Sequence, residues 1–219
     1  MIAALVPAKA LDQAKGRLAA ILNENERRGL ALAMLEDVLR ALRSAEVIES
    51  VSVVSPDESV LQFARALGAE ALEEPPSVRG INQALSHGLN AIADCHPDGV
   101  LVVLADVPGI RPSDVTTIVE ALPKEGVVIC PSADKGTSAL ALRPAGVIPF
   151  RFGENSFQAH KREAAARGLP LRVLRIASLA NDIDEPDDLR ELLSHPTETA
   201  THRLLAQLDI VGRLAGTRT

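Results

Sequence analysis

The sequence predicts an α/β protein, a three-layer Rossmann-like sandwich around a mostly parallel central sheet, and three observations carry that expectation. Short apolar runs alternate with helical patterns from the first residue to about residue 190. One run, "VLVVLA" at 100–105, is apolar throughout, as a strand covered on both faces must be. The chain has 219 residues, 47% of them hydrophobic, which suffices for one domain with a core on each side of a sheet.

The elements follow in order. "IAALV" (2–6) opens as a strand. Residues 23–44 read as a helix, because Asn23 and Glu26 are spaced as a capping box and Leu30, Met34, Val38 and Leu42 share one face. "SVSVV" (50–54) is a second strand. Ser55-Pro56 then starts a helix with Val60, Leu61, Ala64 and Leu67 inward, stopped by Gly68. A short strand near 70–73, a helix over 81–94, the strand at 100–105, a helix over 112–121 and the strand "GVVIC" (126–130) complete the regular part. Beyond it, 137–146 reads as a strand, 150–157 as a loop, 156–168 as a helix, 171–176 as a strand and 181–193 as a loop feeding a helix. These residues form one domain, 1–194. Residues 195–219 look appended, a short helix near 199–208 with a loose end.

Composition narrows the function. A net charge of −6, four Phe and no Trp or Tyr disfavour a nucleic-acid partner, which needs a basic face or stacking platforms. Cys95 and Cys130 lack metal or redox spacing and read as small buried residues; with no leader and no membrane-length apolar run, a cytoplasmic location is expected and no membrane partner.

In a parallel sheet chemistry gathers at the carboxyl ends of the strands, and Asp106 follows such an end directly. Asp182 and Asp184, two residues apart in an extended segment, project to the same side. Three carboxylates on two loops suit Mg²⁺, a hard cation that completes its shell with water and phosphate oxygens. The latter two acids also suit the start of a helix at Pro186, the commoner role for such acids taken alone, and the residues leave both roles open. Lys9, Lys15 and Arg17 follow the first strand and could meet a triphosphate or simply solvent; neither GxxxxGK[ST] nor GxGxxG occurs. Thr137 and Ser156 offer hydroxyls, Gly153 permits close backbone approach, and Ser156 could open a helix whose N-terminus attracts anions or serve as an ordinary cap. Gly80 and Asn82 at a helix start are candidates for a nucleobase or its sugar. Of the histidines only His160 lies near these groups.

An ordered series of segments resembles one family: "LVPAKALDQAKGRLA", "GINQAL", "LADVPGI", "GTSALALRP", "FGENSFQAHKREAAARGLPLRV" and "DIDEPDDL". They are similar to the CofC/FbiD guanylyltransferases of coenzyme F420 biosynthesis, which have a MobA-like nucleotidyltransferase fold. The resemblance implies that Asp106, Asp182 and Asp184 bind metal, two Mg²⁺ ions being expected, with Asp106, Lys15 and Arg17 as the catalytic set. It places Lys9, Lys15 and Arg17 on the phosphates of GTP, beside the Gly80–Asn82 segment, and Thr137, Gly153 and Ser156 on a phosphorylated three-carbon acid. The acid would be 2-phospho-L-lactate, phosphoenolpyruvate or 3-phospho-D-glycerate, and pyrophosphate would leave. A downstream F420 transferase is the implied functional partner, and the tail is a candidate cover for an apolar patch in a homodimer. The chain departs from the family pattern at "ADVP" for "ADLP", at "PPSVRGIN", and at "GENSF" for "GPGSF", which sets Glu154 and Asn155 beside the acid site. A nucleotidyltransferase for molybdopterin or a sugar phosphate is the rival on the same fold, although its glycine-rich "LAGGxSxRMG" loop is missing. A non-catalytic nucleotide-binding module is the rival from another class.

Overall fold

Seven strands join into one sheet in the computed structural model, which describes residues 1–195 and 197–216. They are β1 (Ile2–Pro7), β2 (Ser50–Ser55), β3 (Glu70–Glu73), β4 (Gly99–Val103), β5 (Gly126–Pro131), β6 (Thr137–Arg143) and β7 (Leu171–Val173), in spatial order β3-β2-β1-β4-β6-β5-β7. All pairings are parallel except the two made by β6, which runs antiparallel between β4 and β5. The α/β sandwich with a mostly parallel sheet is therefore as expected.

The period of two along the central strands feeds two cores. Ala4 and Val6 of β1 face Val38, Leu39 and Leu42 of α1 (Glu24–Ser44), Val60 of α2 (Glu58–Ala66) and Ile118 of α4 (Pro112–Ala121). Ala3 and Leu5 face the opposite way, toward Leu85 of α3 (Gly80–Ala91) and Ala164 of α5 (Ser156–Ala166). Helix α1 begins at the expected capping box: Glu26 N donates to Asn23 Oδ1 at 3.0 Å and Asn23 N to Glu26 Oε2 at 2.8 Å.

Several boundaries differ for local reasons. Helix α2 starts at Glu58, since Asp57 rather than Ser55 caps it, its Oδ1 accepting from Ser59 N at 2.9 Å. Helix α3 ends at Ala91 and a 3₁₀ turn, Ala93–Cys95, follows; that turn leaves Cys95 exposed, against expectation, while Cys130 is buried in β5. Strand β6 stops at Arg143 because Pro144 has no N–H for a ladder.

The described residues after 194 are largely packed. Helices α6 (Pro186–Ser194), α7 (Ala200–Gln207) and α8 (Ile210–Gly216) close a third apolar cluster, in which Leu205, Ile210 and Leu214 meet Leu18, Ile21, Leu22, Leu30 and Met34. Of the expected loose end, Ile210–Gly216 is a second helix, held because it buries apolar side chains against its own chain, while 217–219 lie outside the described residues. Buried Asp37 of α1 fixes the start of α7: its Oδ1 accepts from Ala200 N at 2.7 Å and its Oδ2 from Thr201 N at 2.9 Å. Removing that carboxylate strands two buried N–H groups, a loss of about 2 kcal/mol. Thermal denaturation of Asp37→Ala is expected to show a Tm lower by roughly 5 °C, with Asp37→Asn, which keeps one acceptor, in between. A Tm unchanged in Asp37→Ala refutes this role.

Candidate active site

Four loops converge at the carboxyl edge of the sheet, and backbone hydrogen bonds hold them there. The chain leaving β4 runs beside the start of β6, Leu104 N donating to Ser138 O at 3.1 Å, and two residues later it presents Asp106. Ile183 N donates to the carbonyl of Asp106 at 3.2 Å, which docks the segment carrying Asp182 and Asp184 against it. Ser138 Oγ donates to Leu179 O at 2.6 Å and Ala133 N to Ala180 O at 2.7 Å, tying the same segment to β6 and β5. The loop after β1 is pinned by Leu11 N donating to Asp57 Oδ2 at 2.9 Å. Burial works against the Asp57 carboxylate, but the N–H groups of Leu11 and Ser59 outweigh it and hold its pKa below the usual value. Asp57 had no motif to mark it in the sequence; Asp at a helix start is the only signal it carries.

Within this frame one ligand oxygen from each of Asp106, Asp182 and Asp184 lies within 4.8 Å of the others. Lys15, whose backbone takes the left-handed conformation (φ 50°) between 3₁₀ turns Leu11–Gln13 and Gly16–Leu18, extends into the group. Its Nζ lies 3.1 Å from Asp106 Oδ2 and 2.8 Å from Asp184 Oδ1, with the side chain only 9% exposed. Burial would lower the Lys15 pKa, yet the charges of Asp106 and Asp184 prevail and raise it, so the ammonium is held charged. Asp184 is likewise opposed by burial but kept low by Lys15, with smaller help from Lys9 and Arg17. Asp182 has no such partner among the described residues: burial, then repulsion from Asp106, lifts it to about 6.

One lysine leaves three acids undercompensated, and Asp106 Oδ1 is buried without a hydrogen-bond partner among the described residues. An orphaned carboxylate oxygen amid hard oxygen donors fits a divalent cation of the Mg²⁺ type. Arg17 is exposed and pairs with Glu185 at 3.0 Å; Lys9 is exposed. Both stand at the rim of the cluster and Lys15 at its centre.

The second group of candidates also assembles. Thr137, the first residue of antiparallel β6, falls at this edge for that reason, and Ser156 Oγ reaches its Oγ1 at 3.1 Å. Gly153 adopts φ +124°, which favours glycine, and a Cβ there would meet nothing within 4 Å. Asn155 takes φ 54° at the position where the family pattern has glycine; asparagine tolerates that region, so "GENSF" keeps the turn. The Asn82 amide, by contrast, is engaged with backbone: Nδ2 donates to Phe152 O at 2.9 Å and Oδ1 accepts from Phe152 N at 2.7 Å. It straps the loop before Gly153 to the start of α3, leaving Gly80 (φ +74°), with open space beside it, as the exposed part of that segment.

The raised pKa of Asp182 has a consequence for stability. In metal-free protein its ionised form is penalised relative to the unfolded chain, so this group's contribution becomes more favourable as pH falls through about 6 toward 3.8. Asp182→Asn removes the penalty, which after discounting for partial exposure is about 1 kcal/mol. A Tm gain of about 2–4 °C is expected at pH 7.5 in chelator, shrinking as the pH approaches 4. A gain independent of pH contradicts this.

The chain matches the family described as "Guanylyl transferase CofC like" over residues 2–217. It is 45% identical over 193 residues to a phosphoenolpyruvate guanylyltransferase of Sphaerobacter thermophilus, covering 88% of this chain and 92% of that one. It is 37% identical over 207 residues to a 2-phospho-L-lactate guanylyltransferase of Methanothermobacter thermautotrophicus, covering 94% and 90%. A 3-phospho-D-glycerate guanylyltransferase of Phenylobacterium zucineum is 39% identical over 201 residues, covering 89% and 91%. Among solved structures, a nucleotidyl transferase from Methanothermobacter thermautotrophicus superimposes with a TM-score of 0.66 at 17% identity, covering 89% of this chain and 97% of that one; this likeness concerns the fold. A half-buried acid cluster at the sheet edge, the ordered motifs and relatives matched over about nine-tenths of their length agree: this chain belongs to the CofC-like guanylyl transferase family and is a nucleotidyltransferase.

Proposed function

We propose that the protein transfers GMP from GTP to the phosphate of a phosphorylated three-carbon acid, with release of pyrophosphate, in the assembly of coenzyme F420. The observation that carries this reading is the buried Asp106 Oδ1, unpartnered among the described residues, inside a triad of acids that also engages Lys15. The relatives named for phosphoenolpyruvate, 2-phospho-L-lactate and 3-phospho-D-glycerate support the acceptor class.

An oxygen of the acceptor phosphate attacks the α-phosphorus of GTP as the bond to the β-phosphate breaks, and pyrophosphate carries away the electron pair. The attacking group is already ionised, so no protein nucleophile or base is required. The difficulty is to bring two polyanions together. Asp106, Asp182 and Asp184 would hold Mg²⁺, in our reading two ions, which when bound supply charge screening for both phosphates. The chain's own contribution is positioning and cationic support. Lys15 favours negative charge accumulating on the leaving pyrophosphate, with Arg17 and Lys9 at the rim. Thr137 and Ser156 offer hydroxyls to the acid, and the backbone at Gly153 lets it approach closely. The product is a phosphoric anhydride, an activated donor suited to consumption by a following transferase.

Pyrophosphate release with GTP, Mg²⁺ and each of the three acids, pulled forward by pyrophosphatase, tests this. Release that requires both GTP and one acid is expected. Asp106→Asn, Asp184→Asn and Lys15→Ala are each expected to lower turnover by about 10²–10³-fold, comparable to the loss of one strong transition-state contact. Release from GTP alone, or full turnover in the Asp106 variant, overturns the reading.

A further inference from the structure

The hydroxyl pair of the acid site sits at one end of a buried hydrogen-bonded chain whose polarity can be worked out. The Arg151 backbone N–H can only donate, and its partner is His160 Nε2 at 3.0 Å, so that nitrogen carries the lone pair. His160 is fully buried, and burial pushes its pKa down to about 4, so the ring is neutral with its one proton on Nδ1. The Phe152 ring meets its edge, with centroids 5.0 Å apart. Nδ1 lies 3.1 Å from Thr137 Oγ1, which must therefore accept.

Thr137 and Ser156 carry one hydroxyl proton each and share one contact, at 3.1 Å. One proton bridges the pair. Whichever way that bridge runs, the second proton has no acceptor among the described residues. A buried donor left unsatisfied forfeits the hydrogen bond it had in water, and these residues are only 2% and 1% exposed. With the opposite tautomer, Thr137 would donate to the ring and Ser156 to Thr137, and no proton would be left over. The orientation of His160 therefore creates the surplus. The backbone of Gly153 lies next to Ser156, whose N–H donates to Gly153 O at 3.1 Å, and open space begins there: nothing lies within 4 Å of where a Gly153 side chain would start.

We propose that His160 is a positioning residue that makes the Thr137–Ser156 pair an obligate outward donor, directed at an anionic oxygen of the phosphorylated acid. The proposal rests on the assignment of these hydroxyls to the acceptor site. It assigns His160 no contact with substrate and no proton transfer.

Two experiments test it. Long-range ¹H–¹⁵N NMR of the wild-type protein reads the tautomer directly: Nδ1–H is expected, and Nε2–H overturns the proposal without any variant. In pyrophosphate-release kinetics with the acid that wild type uses, His160→Gln, which keeps the acceptor for Arg151 but loses the donor to Thr137, is expected to raise KM for the acid about tenfold. KM for GTP should stay within about twofold, since the lost hydrogen bond is confined to the acid site. His160→Asn, whose amide can stand near Nδ1 and donate, should recover most of the loss. Thr137→Val combined with His160→Gln should be no worse for the acid than Thr137→Val alone, because both act through one hydroxyl. An unchanged acid KM in His160→Gln, or losses that add in the double variant, overturns the proposal and leaves the guanylyltransferase reading intact. If wild type releases no pyrophosphate with any acid, that reading fails and this one with it.

Discussion

The contact of the Lys15 ammonium with Asp106 and Asp184 is the interaction around which the site is organised. Three carboxylates brought within 4.8 Å repel one another, and burial deepens the penalty. A single buried cation offsets part of it. The remainder is visible at Asp182, which is lifted to about 6, and at the orphaned oxygen of Asp106. The cluster is therefore short of positive charge by construction, which is what a site needs if divalent cations and a polyanion are to enter it together.

Holding such a cluster requires rigid support, and exposed ion pairs supply little. The Arg17–Glu185 pair and the fork from Arg213 to Glu26 are solvent-screened and contribute little. Burying one leucine contributes about 1.5–3 kcal/mol, so the third apolar cluster dominates. Leu18, Ile21 and Leu22 lie just past the Lys15 loop, and Ile183 sits between Asp182 and Asp184. Leu205, Ile210 and Leu214 of the terminal helices pack into the same cluster. The segment that reads as an appendage thus forms part of the wall behind both halves of the charged cluster.

The Thr137–Ser156 group is organised by hydrogen-bond direction instead of charge. Because β6 runs antiparallel to its neighbours, its first residue, Thr137, arrives at the edge where the parallel strands end. Helix α5 then delivers Ser156 and His160 to it from the opposite layer. The Asn82 amide, clamped on the backbone of Phe152, fixes the loop that joins them.

The sequence by itself determined the alternation of strands and helices, the capping box of α1, and Asp106 as an acid at the end of a buried strand, because period and local capping chemistry are written in neighbouring residues. It also determined the family, through motifs whose order survives along the chain. Tertiary structure alone decided which roles the ambiguous residues take. Asp182 and Asp184 could have been helix-start acids, and it is the Ile183 N–H on the Asp106 carbonyl that sets them in the cluster. Lys15 could have been a solvated loop cation, and Asn82 a ligand-facing amide. The antiparallel sense of β6 follows from the five-residue connection 132–136 to β5, too short for a parallel crossover, whereas the docking of residues 200–216 on α1 has no local signal. That docking depends on a partner, Asp37, 163 and 164 residues away in the chain, and is settled by burial across the whole domain.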